Sequence, residues 1–339
     1  MPAESPFVAL FLSIVLLGCT GCPLDPFGPD DDRLVLMSYN CQNLFDDVDQ
    51  GGEYPEFDPS GGQWGTDAYL GKLAALAAAI RKAPREPDIL LLQEVENSMA
   101  LKRLCDDFLP LSGYDFIAAP PADGAAVQTA VASRKTVLNL KTHRATGAEG
   151  ERHILELRVS AGGEELVIFN NHWKSRLGGA AATEPERLRA ARLLRRRIEE
   201  LTAAEPGLPV VAAGDFNEDP FETGREYPVA LGAAGMVLDP PPVWTVSQET
   251  DPSVAGRLLG SWPAITGGGS YYYAGAWQRI DHFLWTASLQ DGRGWEVNEF
   301  FCIDDSLLLN EYGTPLRYDP KRLEGYSDHL PLLLVLEKS

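Results

Sequence analysis

The stretch Leu208–Pro220, LPVVAAGDFNEDP, indicates the fold class of this chain. Its apolar run Val210–Ala213 is too short for a typical helix and lies between two prolines, so it predicts a strand buried on both faces. A carboxylate and an amide, those of Asp215 and Asn217, follow where this strand ends. Such side chains are often plain turn residues, but catalytic groups also collect at strand ends because a rigid element holds them there.

Other stretches repeat this design, with polar side chains next to a predicted buried strand. An opening strand from Arg33 and the apolar run Asp88–Leu92 both end in such residues, and a predicted hairpin over residues 152–169 leads into a third set. A strand within Ser270–Trp285 and the final strand after Ser327 complete the series. The side chains concerned are Asn40, Glu94, His172, Asp281, Asp328 and His329.

Amphipathic helices are predicted between these strands. They cover residues 67–83, 97–115 and 183–205. Thr183 and Glu186 are expected to form a capping box at the start of the third helix. Its arginines, Arg187 among them, are interpreted as a solvated face and not as a nucleic-acid surface, because no aromatic residues interleave for base stacking. Loops rich in Gly and Pro over residues 49–65 and 222–269 are expected at the rim of the site.

The formal net charge of −20 restricts the possible partners. Such a surface repels nucleic acid and anionic membranes at long range, so a polyanionic substrate needs local neutralisation, most simply by a bound divalent cation. His172, Lys174 and Arg176 follow one predicted strand and offer a phosphate several donors, two of them permanently cationic. The alternative interpretation is a surface basic cluster beside a structural histidine.

The N-terminal residues are interpreted as a targeting segment outside the fold. The apolar stretch Phe7–Leu17 has the length of a signal peptide and is too short to span a bilayer. It runs into Leu-Leu-Gly-Cys, which resembles a bacterial lipobox, so we expect a lipoprotein signal peptide over residues 1–18 and lipidation of Cys19. Residues 19–32 are expected to be a disordered tether. Met1–Pro6 lacks the basic residues that usually begin such a segment. Cys22 is a second candidate for lipidation, and a secreted soluble protein or an uncleaved anchor is the alternative to a lipoprotein.

The cysteines after Cys19 are few and widely spaced. Their spacing fits no zinc site, and a chain of this size does not need disulfides for stability. We expect most of these thiols to be buried, and the alternative is that two of the cysteines form one disulfide bridge. The aromatic run within Ser270–Trp285 is interpreted as core packing, with a stacking surface for a base or a lipid as the alternative.

Taken in order, the motifs resemble those of the endonuclease/exonuclease/phosphatase family. They read SYNCQNLFD, LLQEVEN, NNHWKSR, GDFNEDP, RIDHFL and SDHLP. The similarity covers residues 33–338 and is closest in form to an exported bacterial branch. It implies an α+β fold, a four-layer α/β/β/α sandwich of two packed mixed β-sheets flanked by helices. Residues 33–339 would form this one domain.

The resemblance also implies a metal site. Glu94 resembles the main magnesium ligand of the family, with Asn40 and Asp328 close to the same ion. Oxygen ligands select a hard cation, so Mg²⁺ is expected and Mn²⁺ or Ca²⁺ are substitutes, whereas zinc is not expected. Gln42 stands where many relatives have Glu, which removes one potential ligand.

The catalytic roles implied by the family fall on five residues. Asp215 resembles the group that activates or orients the attacking water, and Asn217 supports it and the phosphoryl oxygens. His172 and His329 resemble the pair that holds the phosphate, together with Lys174 and Arg176 as phosphate-binding residues. Asp281 resembles the carboxylate that orients His329.

A second position departs from the family pattern. Relatives carry an acid after an arginine on the strand that precedes His172, whereas this chain has Arg152 and His153 there. Two alternatives follow: Glu151 replaces the missing carboxylate, or His172 has no carboxylate partner.

The resulting hypothesis is a divalent-metal-dependent phosphoesterase that hydrolyses a phosphodiester, DNA or RNA among the candidates, outside the cytoplasm. It would act as a monomer anchored by lipid in a bacterial cell envelope. The alternatives are a sphingomyelinase-like phospholipase C, a phosphomonoesterase and a non-catalytic surface binding protein. The phospholipase would need an exposed apolar hairpin, for which Trp262–Tyr273 is the candidate.

Overall fold

Two six-stranded β-sheets pack face to face, with helices on their outer faces, in the computed structural model of this chain. It describes residues 32–121, 124–220, 230–233, 258–262 and 268–339. The predicted signal peptide, almost all of the tether and most of the predicted loop 222–269 lie outside the described residues. The arrangement confirms the predicted four-layer sandwich of mixed sheets.

The strands, in chain order, are β1 (Arg33–Leu44), β2 (Ile89–Val95), β3 (Phe116–Ala118), β4 (Gln128–Ser133), β5 (Thr136–His143), β6 (Ile154–Ala161), β7 (Glu164–His172), β8 (Val210–Asp215), β9 (Leu258–Gly260), β10 (Tyr271–Tyr273), β11 (Ala276–Gln278), β12 (Asp281–Thr286), β13 (Trp295–Cys302) and β14 (Leu332–Lys338). The α-helices are α1 (Thr66–Ile80), α2 (Ser98–Arg103), α3 (Ala180–Ala204) and α4 (Ala230–Ala233). None of the described helices is long and apolar enough to cross a membrane.

Strand order brings the ends of distant segments to one edge. The first sheet has the order β13-β14-β1-β2-β4-β3 and the second β5-β6-β7-β8-β12-β9. The pairs β1–β2 and β7–β8 are parallel, so each pair ends at a common edge. The antiparallel strands β12 and β14 begin at those same edges, because Asp281 pairs with Asp215 and Leu332 pairs with Ser38. Polar residues at these ends are therefore neighbours in each sheet.

Apolar side chains fill the space between the sheets and beneath the helices. The middle layer takes alternate residues of both sheets, such as Leu36 of β1 and Ile168 of β7, as expected from the two-residue period of strands. Helix α1 packs Leu73 on the outer face of the first sheet, and α3 packs Ile198 on the second. Each of these side chains is fully buried.

Three sequence predictions of local structure are wrong in detail. Helix α3 begins at Ala180, so Thr183 lies inside its first turn, where its hydroxyl donates to the Gly179 carbonyl and does not form a capping box. Helix α2 ends at Arg103 and continues only as a π-helical turn to Phe108, well short of residue 115. Strands β3, β9 and β13 were not predicted, because short or irregular strands carry little alternation in sequence.

The described cysteines confirm the expectation of buried thiols in part. Cys41, Cys105 and Cys302 are free, the first two buried and the third half-buried. No disulfide therefore joins the described cysteines, whereas Cys22 lies outside the described residues.

The carboxylate of Glu156 joins β5, β6 and α3. It accepts from Arg197 Nε at 2.5 Å and from Nη2 at 2.9 Å, and lies 2.7 Å from His143 Nε2. Burial opposes its ionisation, but the hydrogen bonds from Arg197 and His143 outweigh burial and lower the pKa of Glu156 to about 2. This ionised carboxylate therefore stabilises the outer side of the second sheet.

We predict that Glu156→Gln lowers the free energy of unfolding by about 2 kcal/mol at neutral pH. Because the pKa of Glu156 is lower in the folded chain than in the unfolded chain, its contribution is complete above the unfolded pKa of about 4.3 and is lost as pH falls toward 2. Urea denaturation across this range should show the difference from wild type shrinking with acidity. Glu200→Gln, which removes an exposed partner of Arg197, is the control; a pH-independent difference for Glu156→Gln contradicts the prediction.

Candidate active site

The close approach of β7 and β8 sets the position of Asp215. Gly214 has a φ of +132°, and a Cβ at this position would overlap the carbonyl oxygen of Asn171 on β7. Only glycine permits this conformation without steric cost. The glycine before Asp215 is thus required by the backbone, and it delivers the Asp215 carboxylate at the end of a fully buried strand.

Asn40 lies between carboxylates from both sheets. Its Nδ2 is 3.3 Å from Glu94 Oε1 and 3.2 Å from Asp215 Oδ2. The second oxygen of Glu94 accepts from the backbone N–H of Asn43 at 3.0 Å. Residues predicted from three separate motifs therefore meet where the two sheet edges adjoin.

Asp281 and His329 form a buried hydrogen-bonded pair. His329 Nδ1 is 2.8 Å from Asp281 Oδ2, and the Ser270 hydroxyl donates to the same oxygen at 2.5 Å. Burial lowers the pKa of His329, but the Asp281 carboxylate outweighs burial and raises it to about 10. The imidazole is therefore cationic at neutral pH, with Nε2 as its other donor.

Asp215 is adjacent to this pair. Burial and the charge of Asp281 raise the pKa of Asp215 to about 7, against the opposing effect of His329. The backbone N–H of Asn217 donates to Asp215 Oδ1 at 2.8 Å, and Asn217 Nδ2 donates to the Trp173 carbonyl at 3.2 Å. A carboxylate with this pKa, fixed by a neighbouring amide, suits proton transfer near neutral pH.

His172 faces the same carboxylates from β7. Its Nε2 lies 3.6 Å from Asp215 Oδ2, 3.7 Å from Glu94 Oε1 and 2.9 Å from Arg152 Nη1. Burial first, and then the charges of Arg152 and His329, lower the pKa of His172 well below its usual value. The neutral imidazole therefore accepts from Arg152, a residue that the sequence analysis did not assign to the site.

Glu151 is not the partner of His172. Its carboxylate accepts from the backbone amides of residues 145–147. Among the described residues, Nδ1 of His172 has no hydrogen-bond partner. Glu151 is therefore not the carboxylate beside His172; the nearest described carboxylates are those of Asp215 and Glu94, on the Nε2 side.

The oxygen donors of the site fit a hard divalent cation. The Glu94 carboxylate adjoins the Asn40 amide and the buried Asp215 carboxylate. Asp328 belongs to the same region: burial lowers the pKa of the buried Lys72 to about 8, and both Asp328 and Glu94 oppose this shift. Donors of this kind select Mg²⁺, Mn²⁺ or Ca²⁺ over softer ions.

A second group of potential ligands is better explained without a metal. One atom each from Asp215, Asp281 and His329 lie within 4.8 Å of one another. His329 Nδ1 is engaged in its hydrogen bond to Asp281, which leaves Nε2 free for another contact. These residues therefore suit proton transfer and phosphate binding, whereas the oxygen donors of Asn40, Glu94 and Asp328 suit a hard cation.

Backbone strain concentrates at this edge. Six described non-glycine residues have positive φ, and four of them belong to the site or its turns: Gln42, Asn43, Glu94 and Asn217. Such conformations cost free energy and persist where the surrounding structure imposes them, which is common at functional sites. Gln42 does not face the metal side, since its amide exchanges hydrogen bonds with the backbone of Tyr318.

Arg187 corrects the prediction of a solvated arginine face on α3. It is fully buried, and its guanidinium donates to Glu218 at 2.5 Å and to Glu184 at 2.8 Å. It also donates to the Lys174 carbonyl at 3.2 Å. Arg187 therefore ties α3 to the segments that follow His172 and Asp215. Helical spacing puts Arg187 on the buried stripe, one turn before the buried Ala191, whereas its charge suggested exposure.

The predicted site residues differ in where they lie. Asn40, His172, Asp215, Asn217, Asp281 and His329 are buried together, and Glu94 and Asp328 are half-buried beside them. Lys174 is exposed and, with Arg152 and His172, lines an adjoining cavity of about 540 Å³. Arg176 is half-buried in the following turn, and Cys19 lies outside the described residues.

Comparison with known proteins agrees with this geometry. A family model for the endonuclease/exonuclease/phosphatase family matches residues 35–234. The chain belongs to this family. No curated protein sequence matches it.

Solved structures of family members resemble the whole fold. An endonuclease/exonuclease/phosphatase family protein from Bacteroides thetaiotaomicron has a TM-score of 0.59 at 18% identity, over 91% of this chain and 95% of the other. A mannosyl-6-phosphatase of the same organism has a TM-score of 0.57 at 19% identity, over 89% and 99%. TDP2 from D. rerio, in complex with a single-strand DNA product, has a TM-score of 0.52 at 14% identity, over 90% and 99%.

We predict that Arg187→Leu destabilises the chain by about 3–5 kcal/mol, because it leaves the buried carboxylates of Glu184 and Glu218 without this cation. Urea denaturation measures the change. Arg192→Leu, on an exposed position of the same helix, should change the free energy of unfolding by less than about 0.5 kcal/mol. Similar effects of the two substitutions would show that the Arg187 cluster does not stabilise the fold.

Proposed function

We propose that this chain is a divalent-metal-dependent phosphoesterase and that its substrate is a phosphodiester, as in a nucleic acid. The observation that carries the proposal is the convergence of Asn40, Glu94, His172, Asp215, Asp281 and His329 from six separate segments at one sheet edge. The similarity to TDP2 bound to a DNA product supports a diester. The net charge of −20 is expected to repel an anionic substrate. A bound cation neutralises part of the substrate's charge, and a short substrate carries few phosphates, so both reduce this repulsion.

The metal would be held by Glu94 with Asn40 and Asp328, and when bound it neutralises charge on the phosphoryl oxygens. Asp215 is placed to accept a proton from the attacking water, and Asn217 holds its carboxylate in position. His329, kept cationic by Asp281, and Arg152 donate to the negative charge that develops on the phosphoryl group. The neutral His172 accepts from Arg152 and so orients that guanidinium.

A phosphomonoesterase is the second candidate. The similarity to a mannosyl-6-phosphatase favours it, and the cavity of about 540 Å³ beside His172 has room for a sugar ring. The phospholipase hypothesis loses part of its basis, because Trp262 is buried and donates to the Asp281 carbonyl at 2.7 Å. A non-catalytic role is disfavoured because the principal acids and histidines of the site are present.

We predict that the purified chain hydrolyses bis-p-nitrophenyl phosphate or a short oligonucleotide with Mg²⁺ or Mn²⁺ and loses this activity in EDTA. Removing the cation leaves the acidic site to repel an anionic phosphate, so the loss should exceed about 10³-fold. A panel with p-nitrophenyl phosphate, mannose 6-phosphate and sphingomyelin separates the diester, monoester and phospholipase alternatives. Failure to hydrolyse any member with any of Mg²⁺, Mn²⁺ and Ca²⁺ contradicts the proposal.

A matched pair of variants assigns that activity to this site. Asp281→Asn should lower kcat by about 10²–10⁴-fold, because His329 loses the carboxylate that keeps it protonated and oriented. Asp291→Asn removes the same charge at an exposed position and serves as the control. Equal activities of the two variants would show that a contaminant or another site is being measured.

We propose in addition that the chain is a lipid-anchored protein of a bacterial cell envelope. The apolar stretch before Cys19 and the lipobox-like residues at that cysteine support this location. The short Pro- and Asp-rich segment that follows suits a tether between a membrane and a folded domain.

We predict that Cys19→Ala abolishes labelling of the full-length chain by an alkyne fatty acid in a bacterial host. The Cys19 thiol is the point of lipid attachment in this proposal, so its loss removes the label. Cys22→Ala is the control. Labelling that depends on Cys22, or that is absent from the wild type, contradicts the assignment.

A further inference from the structure

A groove beside Asp328 is lined by aromatic and cationic side chains that the proposed chemistry does not use. It has a volume of about 430 Å³. Tyr271 and Tyr273 of β10 line it, as do Arg317 and Arg322. The groove is contiguous with the candidate active site, because Asp328 belongs to both.

The tyrosines form a row that begins at the catalytic histidine. The Tyr271 ring centroid lies 4.7 Å from that of His329, and the Tyr273 ring is nearly parallel to Tyr271, with 6.3 Å between centroids and 11° between planes. Alternate residues of a strand share one face, which explains the alignment of Tyr271 with Tyr273. Tyr273 is 60% exposed, so core packing does not account for it.

The backbone holds this row against the site. Tyr271 forms a β-bridge with His329, and the amide of Leu330 donates to the Ser270 carbonyl at 2.7 Å. The Ser270 side chain in turn donates to Asp281. The aromatic row is thus fixed relative to the group that would contact the scissile phosphate.

The arginines give the groove cations in an otherwise acidic protein. Arg322 is 75% exposed and lies 3.7 Å from the half-exposed Asp319. An ion pair of this kind contributes little and is easily exchanged for another anion. Aromatic faces beside exposed arginines are the features that bind bases and phosphates of single-stranded nucleic acid.

We propose that Tyr271 and Tyr273 stack a nucleobase next to the scissile phosphate, while Arg322 contacts a neighbouring phosphate. This inference rests on the proposed phosphoesterase function and narrows its substrate to short phosphoesters that carry bases. The net charge of −20 disfavours a long duplex, whereas a short strand presents few phosphates to that field. A lipid chain is disfavoured because charged side chains line the groove.

Calorimetric titration of the EDTA-treated full chain tests this inference independently of catalysis. The probes are the deoxyadenosine dinucleotide dApdA and the same sugar-phosphate backbone with tetrahydrofuran abasic residues. Base stacking should make dApdA bind about 5- to 150-fold more tightly. Tyr273→Leu should abolish that ratio and Tyr273→Phe should keep it. Tyr312→Leu, at an 82% exposed tyrosine outside the lining of the groove, is the control.

Arg322→Gln should weaken the 5′-phosphorylated forms of both probes by a similar factor, because it removes a contact with their second phosphate and not a base contact. Equal affinities of the two probes for the wild type, or a ratio unchanged by Tyr273→Leu, overturn the inference, as does tighter binding of mannose 6-phosphate than of dApdA. A chain that prefers dApdA but hydrolyses no phosphoester keeps this inference and loses the proposed function. A chain that hydrolyses a phosphoester but binds both probes equally keeps the proposed function and loses this inference.

Discussion

The site depends on one constraint: the ends of strands from both sheets must lie side by side at one edge of the sandwich. Asn40 and Glu94 come from the first sheet, whereas His172 and Asp215 come from the second. Just beneath them, Gln93 donates to Asn170 across the sandwich at 2.7 Å, and Asn170 donates to two backbone carbonyls of the first sheet, those of Leu92 and Ala130, at 2.9 Å. These amides are fully buried, so a relative slip of the sheets would leave polar groups unpaired at a cost of about 1–3 kcal/mol each.

Buried cations complement the acids that meet at this edge. Arg187 pairs two carboxylates behind the ends of β7 and β8, and Lys72 donates to the Tyr326 carbonyl at 2.8 Å on the opposite side. The half-buried Arg152, in the segment just before β6, contacts His172. These cations offset part of the repulsion between the carboxylates that meet at the site.

Much of this arrangement was predictable from residue order. An apolar run that ends in Gly214 and Asp215 identifies a buried strand and its functional end, and the ordered motifs predict that the remaining ends meet. The pairing of strands was not predictable from local periodicity, because register is decided by partners far away in the chain. Arg187 and Arg152 were missed for a related reason: their charge indicates exposure, and only tertiary structure shows the carboxylates around the buried Arg187 and the imidazole beside the half-buried Arg152.

The same reasoning explains why substrate choice is separable from chemistry in this chain. The proposed reactive groups lie on strand ends that both sheets fix. The cavity beside Lys174 is lined by loops and by helix α3, and the tyrosine groove by loops and a small hairpin. Under the proposed function, the strand ends would break the phosphoester bond, and the side chains that line the two cavities would select the group attached to the phosphate.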